Sequence, residues 1–582
     1  MPNLALAKSL HANMKKVLPK TRLAFFSLFL LTLASCHEKN ETPTSETIAA
    51  IQLKRGELVL CGPPDKQFGS VDFEMSWSGK VKKDFNLAMS LLHSFEYDEA
   101  EKVFAQIIDE EPACAMAYWG IAMSNFHPLW APPTRPELQK GAKAIAVAQS
   151  IPQKNKRESD YIDAISLFYQ NWDKTDHLTR CIKFEKAMEK IHADFPNDKE
   201  AAIFYALALD GAADPADTTL ANQRKAGAIL TALSPDEPYH PGIIHYIIHS
   251  YDYPELAALA LPAARKYASI APSSAHALHM PSHIFTRLGL WNDCINSNLA
   301  SISAAKCYAE NTGIKGHWDE ELHGMDYLMY AYLQKAENRK AKELCDSLKT
   351  ILEVYPVNFK DAYAFAAIPA RYLLENKMWK EAAELKIHPA TFPWEQYPWQ
   401  KAIFHFTRLL GSVHVGSMDS ARNELKNLTA LHDTLTKQKD SYKANQVQIQ
   451  IITSEAWILF KEGKNAEALK LMDLAARMEE NTQKHPVTPC EVIPARELLG
   501  DMLFQMNKPE EALKTYEEDL KKHANRFNGL YGAGLAAQRS NSLKKATGYY
   551  QQLTDIADPT DSNRPELVAA RVFLKQNTGT PY

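Results

Sequence analysis

Histidines carry the first legible chemistry in this 582-residue chain. Two His-x-x-x-His pairs, His245/His249 and His279/His283, stand 34 residues apart, and Tyr251/Phe285 and Ala260/Cys294 keep the same offset. On a helix, residues i and i+4 share a face with Cβ atoms about 5–6 Å apart. Imidazoles so placed form a donor pair for a transition metal such as Zn, Ni, Cu or Fe. Packed helices lie about 8–10 Å apart, a gap that two imidazoles span through one ion at metal–nitrogen distances of about 2.0–2.1 Å. The spacing therefore predicts one ion, Zn for example, held by His245, His249, His279 and His283. Asp326 is expected either to join them or to fix a histidine tautomer from behind. Two other readings stay open at this point. The same residues suit a polar groove for a peptide or small ligand, or a hydrogen-bond network in which imidazoles donate to carbonyls.

The surrounding chain reads as helix almost throughout. Glycine is sparse, with 22 residues, and the composition leans to good helix formers. Hydrophobic residues make up 46% and charged residues 23%, as in ordinary folded proteins. The net charge is −4 and no long basic run follows the first residues, so nucleic acid is not expected as a partner. No P-loop, G-x-S-x-G or H-E-x-x-H motif occurs. The seven cysteines beyond Cys36 form no C-x-x-C, and no essential disulfide framework is expected.

Small residues recur at fixed places. In residues 81–114, Ala88, Ala100, Phe104 and Pro112 stand 12, 4 and 8 apart. Small side chains where two helices cross let the backbones approach, and proline ends the second helix. Later units anchor on Ala260, Cys294, Ala341, Ala382, Ala421, Ala468, Ala512 and Ala546, whose first and last intervals are 34. This pattern resembles the tetratricopeptide repeat (TPR) family, over about residues 81–560. The resemblance implies an all-α fold: a right-handed superhelical solenoid of helix pairs with a concave binding face.

The resemblance also assigns groove positions 2, 5, 9 and 12 on the first helix of each repeat. In this frame His245 and His249 occupy 5 and 9 of one repeat. His276, His279 and His283 occupy 2, 5 and 9 of the next, and His323, Asp326 and Tyr330 those of a third. Trp119, flanked by His93 and His127 (again 34 apart), is expected to form an aromatic wall of the groove, with core packing as the competing reading.

The N-terminus reads as an export signal. Lys15, Lys16, Lys20 and Arg22 precede an apolar run from Leu23 to Ala34, then Leu33-Ala34-Ser35-Cys36. This resembles the bacterial lipobox and implies lipidation at Cys36, with localisation to a bacterial cell envelope on a membrane anchor. The expected organisation is a signal peptide over 1–36, a flexible tether and extended lead-in over 37–80, a solenoid carrying the histidines over 81–390 and further repeats over 391–582. The expected function is a membrane-tethered scaffold that binds a peptide, protein or small ligand. The alternative is a metal-binding protein or metal-dependent hydrolase.

Overall fold

The computed structural model describes residues 42–582 apart from 64–66, 130–131, 558–561, 563 and 579–582. The signal segment and Cys36 lie outside the described residues.

Helices that are neighbours in sequence make most of the packing, from Gly79–His93 through Pro565–Thr578. The described strands, His317–Trp318 and Val354–Tyr355, are two residues each and pair in parallel. The fold is therefore an all-α helical-repeat solenoid of TPR-like helix pairs. Near residue 390 the chain turns through Trp394–Gln396, and the Pro398–Val415 helix packs against Trp379–Ala383.

The repeat anchors explain why this sequence pairs its helices. Ala260, Cys294, Ala341, Ala382, Ala421, Ala468, Ala512 and Ala546 are each the fourth residue of their helix. All eight are fully buried, at 0% exposure. A larger side chain there would hold the crossing backbones apart. Entry to these helices is nearly as regular. At seven of the eight a residue with left-handed backbone stands two before the helix start, as at Gly289 (φ 65°), Gly463 (φ 80°) and Asn507 (φ 58°). Glycine takes that conformation without a Cβ clash, and asparagine visits it more readily than most residues.

The tether expected over 37–47 gives way to helix at Ser45. Ser45–Ala49 is helical, and the chain beyond it lies on the first repeats, burying Ile51, Phe68 and Phe73. The disulfide expectation is corrected too. Cys61 is bonded to Cys307, 246 residues away, with a sulfur–sulfur distance of 2.11 Å. Neither cysteine belongs to a spacing motif, so only the tertiary fold reveals the pair. Closing so long a loop restricts the unfolded chain. Cys61→Ser is expected to lower stability by about 2–4 kcal/mol in urea titrations, and reductant should have the same effect on the wild type and none on the variant.

Residues 484–528 return to the middle repeats. Trp291 Nε1 donates to the Asn525 carbonyl at 2.9 Å, and the Phe527 amide donates to Gln334 Oε1 at 2.8 Å. Lys484 reaches Asp252 at 3.0 Å. Next to this seam, His523 donates to Asp519 (2.9 Å) and Glu491 (3.0 Å). Burial disfavours its charged form, but the two carboxylates outweigh burial and raise it to about 10. A raised histidine contributes stability that is fully present below its unfolded value near 6.5 and is lost as pH rises through 10. His523→Gln is therefore expected to flatten the fall in melting temperature between pH 7 and pH 10.

Candidate metal centre

Six histidines come together on three successive first helices. Pro241–Ser250 carries His245 and His249. The next first helix bends at Met280–Pro281 into Ala275–His279 and Pro281–Leu288. It carries His276, His279 and His283. Asp319–Gln334 carries His323. Five of the six are buried and His249 is half-buried.

They sort into two triads, not the single four-histidine site expected from the spacing. His245, His249 and His276 form one, and His279, His283 and His323 the other, with one nitrogen from each residue lying within 4.8 Å of the others. Both triads obey one rule. Positions 5 and 9 of a first helix are joined by position 2 of the next. The helix-to-helix offset along the solenoid brings position 2 of one repeat beside positions 5 and 9 of the preceding one. In the earlier repeat the place equivalent to His276 is Gly242, where a Cβ would meet the His93 ring at 2.5 Å.

In three of the six histidines the ring nitrogen facing away from the triad has a hydrogen-bond partner. His245 Nδ1 donates to the His93 carbonyl at 2.7 Å. His279 Nδ1 donates to Asn298 Oδ1 at 2.7 Å, while Asn298 Nδ2 donates to the Cys294 carbonyl at 2.8 Å and so fixes the amide. His283 Nδ1 donates to Asp252 Oδ2 at 3.0 Å. Burial favours a protonated Asp252, but Lys484 and Arg287 outweigh it and hold the carboxyl well below its usual range. Each of these imidazoles therefore carries its proton on Nδ1, which leaves the Nε2 lone pair directed inward.

The consequence is sharpest in the second triad. His279 Nε2 and His283 Nε2 stand 3.1 Å apart with a lone pair on each. The Tyr327 hydroxyl lies 3.3 Å from both nitrogens of His283, off either lone-pair axis. Two lone pairs at that distance repel unless a cation lies between them. A proton is disfavoured in that role. Burial pushes His279 well below the usual histidine range and His283 down to about 4. In the first triad, His245 Nε2 meets His249 Nε2 at 2.9 Å and His276 Nε2 at 3.1 Å.

A third cluster has the opposite character. His93 Nε2 and His240 Nε2 donate to the two oxygens of Glu200 at 3.0 and 2.9 Å. His240 Nδ1 accepts from the Ile243 amide, and His93 Nδ1 lies 3.0 Å from the Tyr246 hydroxyl. Every nitrogen there is satisfied by a proton donor or acceptor. This network is structural, and it holds the carbonyl that orients His245.

The remaining expected site residues lie elsewhere. Asp326 is not a triad member: its Oδ1 pairs with Arg371 Nε at 3.3 Å, and burial pushes the carboxyl up to about 6 against that cation. Tyr330 lies beneath the guanidinium groups of Arg371 and Arg526, at 5.2 and 5.9 Å. Trp119 is a core residue, 1% exposed, packed among Phe73, Phe85, Tyr161 and Phe204. His127 pairs with Glu137 at 3.5 Å. An open pocket of about 600 Å³ exists, but Leu299, Ile302, Met325, Tyr332 and Leu344 line it, and none of the expected groove residues does.

The residues that orient the triads were not anticipated. Asp252, Asn298 and Lys484 carry no repeat register with the histidines. Glu320 was the most accessible to reasoning, since it lies one helical turn before His323. Its carboxylate pairs with Lys360 at 2.5 Å and stands 3.9 Å from His276 Nδ1.

No known protein family matches the chain, and no curated protein is similar to it. Solved structures do align. The TPR domain of P58(IPK) is 14% identical, with 66% of this chain and 100% of that one covered, at a TM-score of 0.20. Human IFIT1, in a dimer with PPP-AAAA, is 12% identical, with 82% and 99% covered, at a TM-score of 0.35. With TM-scores this low, neither adds to what the repeat packing shows.

Proposed function

We propose that this helical-repeat scaffold is a transition-metal-binding protein whose two imidazole triads are its metal sites. The observation that carries the reading is the pair of inward lone pairs on His279 and His283, 3.1 Å apart, with both outward nitrogens committed to acceptors. A set of neutral imidazoles oriented from behind is what a metal requires of its ligands, and Zn, Cu, Ni and Fe suit such a set. The N-terminal segment supports an exported, lipid-anchored protein, with Cys36 as the modified residue and a bacterial envelope as its setting. A scaffold role in binding a peptide or protein rests on the TPR-like fold, and the 600 Å³ pocket would be its nearest site.

The experiment uses the chain from residue 37, stripped with chelator. Zinc at one hundred times its dissociation constant should stabilise the protein by about 2.7 kcal/mol, seen as a raised melting temperature. Asn298→Leu removes the acceptor that orients His279 and should weaken one site about 10–100-fold. Unchanged melting on adding Zn, Cu, Ni or Co would overturn the reading.

A further inference from the structure

The two triads share a helix. His276 of the first and His279 of the second lie on the same five-residue helix, Ala275–His279. At a spacing of i, i+3 their Cβ atoms are about 5–6 Å apart. Glu320, beside His276, also acts electrostatically on His279 and His323 across the triad boundary. Ions held by the two triads would therefore be neighbours within one buried cluster, each with three nitrogen ligands.

The charge around the cluster restricts what can occupy it. The six imidazoles are neutral donors. Asp252 faces Arg287 and Lys484, whereas Asp319 and Glu320 face Lys360. Three anions and three cations cancel, so ions of the lowest charge suit these sites best. An uncompensated buried charge is costly, and the cost rises steeply with its size. The wall over the first triad is aromatic: Phe95 packs on His245 at 4.4 Å and Tyr267 at 5.2 Å. Tyr327 covers the second, at 4.7 Å from His279 and 4.9 Å from His283.

We infer that the triads form one binuclear centre that holds two cuprous ions and binds dioxygen between them. This inference rests on the metal-binding reading above. Copper is the imidazole-binding transition metal that is stable as a monocation, and a neutral diatomic suits aromatic surroundings without net charge. On binding, each Cu(I) gives up one electron. Dioxygen accepts both and becomes a peroxide dianion bridging two Cu(II), so the total charge of the cluster does not change. No proton is taken up, and release of dioxygen reverses the transfer.

The test loads the chain from residue 37 with Cu(I) without air, then admits dioxygen. Two copper ions per chain, uptake of one dioxygen per two coppers, and an oxidised form at least tenfold weaker in paramagnetic resonance than its copper content are expected. The weak signal would arise because neighbouring Cu(II) spins couple. His323→Ala should hold one copper and recover the full single-ion signal, and a far-ultraviolet spectrum like the wild type's shows that it is folded. One copper per wild-type chain, or a full uncoupled signal after oxidation, would overturn the binuclear inference while leaving metal binding intact. Failure of Cu(I), Co(II) and Zn(II) alike to bind would instead remove the reading on which it rests.

Discussion

His283→Ala should abolish measurable metal binding at the second triad and leave the first within about threefold of wild type. The side chain supplies one of three nitrogens, so its removal should cost more than the roughly 10–100-fold that loss of an orienting partner costs. Only two nitrogens of that triad would then remain. The first triad takes its ligands from His245, His249 and His276. The reciprocal variant, His249→Ala, should spare the second triad. Calorimetric titration with zinc reads both. If either single variant removed all binding, or neither changed it, the division into two triads would be wrong.

Arg526→Met should produce the largest loss of stability of any single change considered, about 3–5 kcal/mol. Arg526 is fully buried and joins two repeats. Its Nε and Nη2 donate to Glu497 at 2.7 and 2.9 Å, and its Nη1 lies 2.7 Å from Glu375. Removing the guanidinium leaves two buried carboxylates facing each other without a cation. Burial already pushes Glu497 up to about 7, with the Glu375 charge adding to it, so the variant would fold best at low pH. The double change Arg526→Met with Glu497→Leu removes one stranded carboxylate and should regain part of the loss. A fall of less than 1 kcal/mol in urea titrations of Arg526→Met would show that this seam contributes little.

The repeat frame was legible because its physics is local. A small residue at each helix crossing, and a residue able to adopt left-handed backbone two before the second helix, follow from steric limits that act within one repeat. All eight anchors lie where the frame puts them. The histidines were legible as a set for the same reason. Their grouping was not, since whether position 2 of one helix meets positions 5 and 9 of its neighbour depends on the offset between repeats. That offset includes the 13 extra residues between Cys294 and Ala341. His276 and His323, placed one turn before the expected site, proved to be the third member of each triad. Asp326 keeps the register of His279 but meets Arg371, because the chain from 484 onward closes over that repeat and Arg371 also donates to the Cys490 and Glu491 carbonyls. Asp252, Lys484 and the Cys61–Cys307 bond join distant segments, and no periodicity points to such pairs.

The account stands on cations occupying the space between inward Nε2 lone pairs. Titration of the stripped chain from residue 37 with Co(II), followed by its visible absorption, tests this most directly. The account predicts a band that saturates at two equivalents and falls to one in His283→Ala. No band, with melting unchanged by the metal, would contradict it.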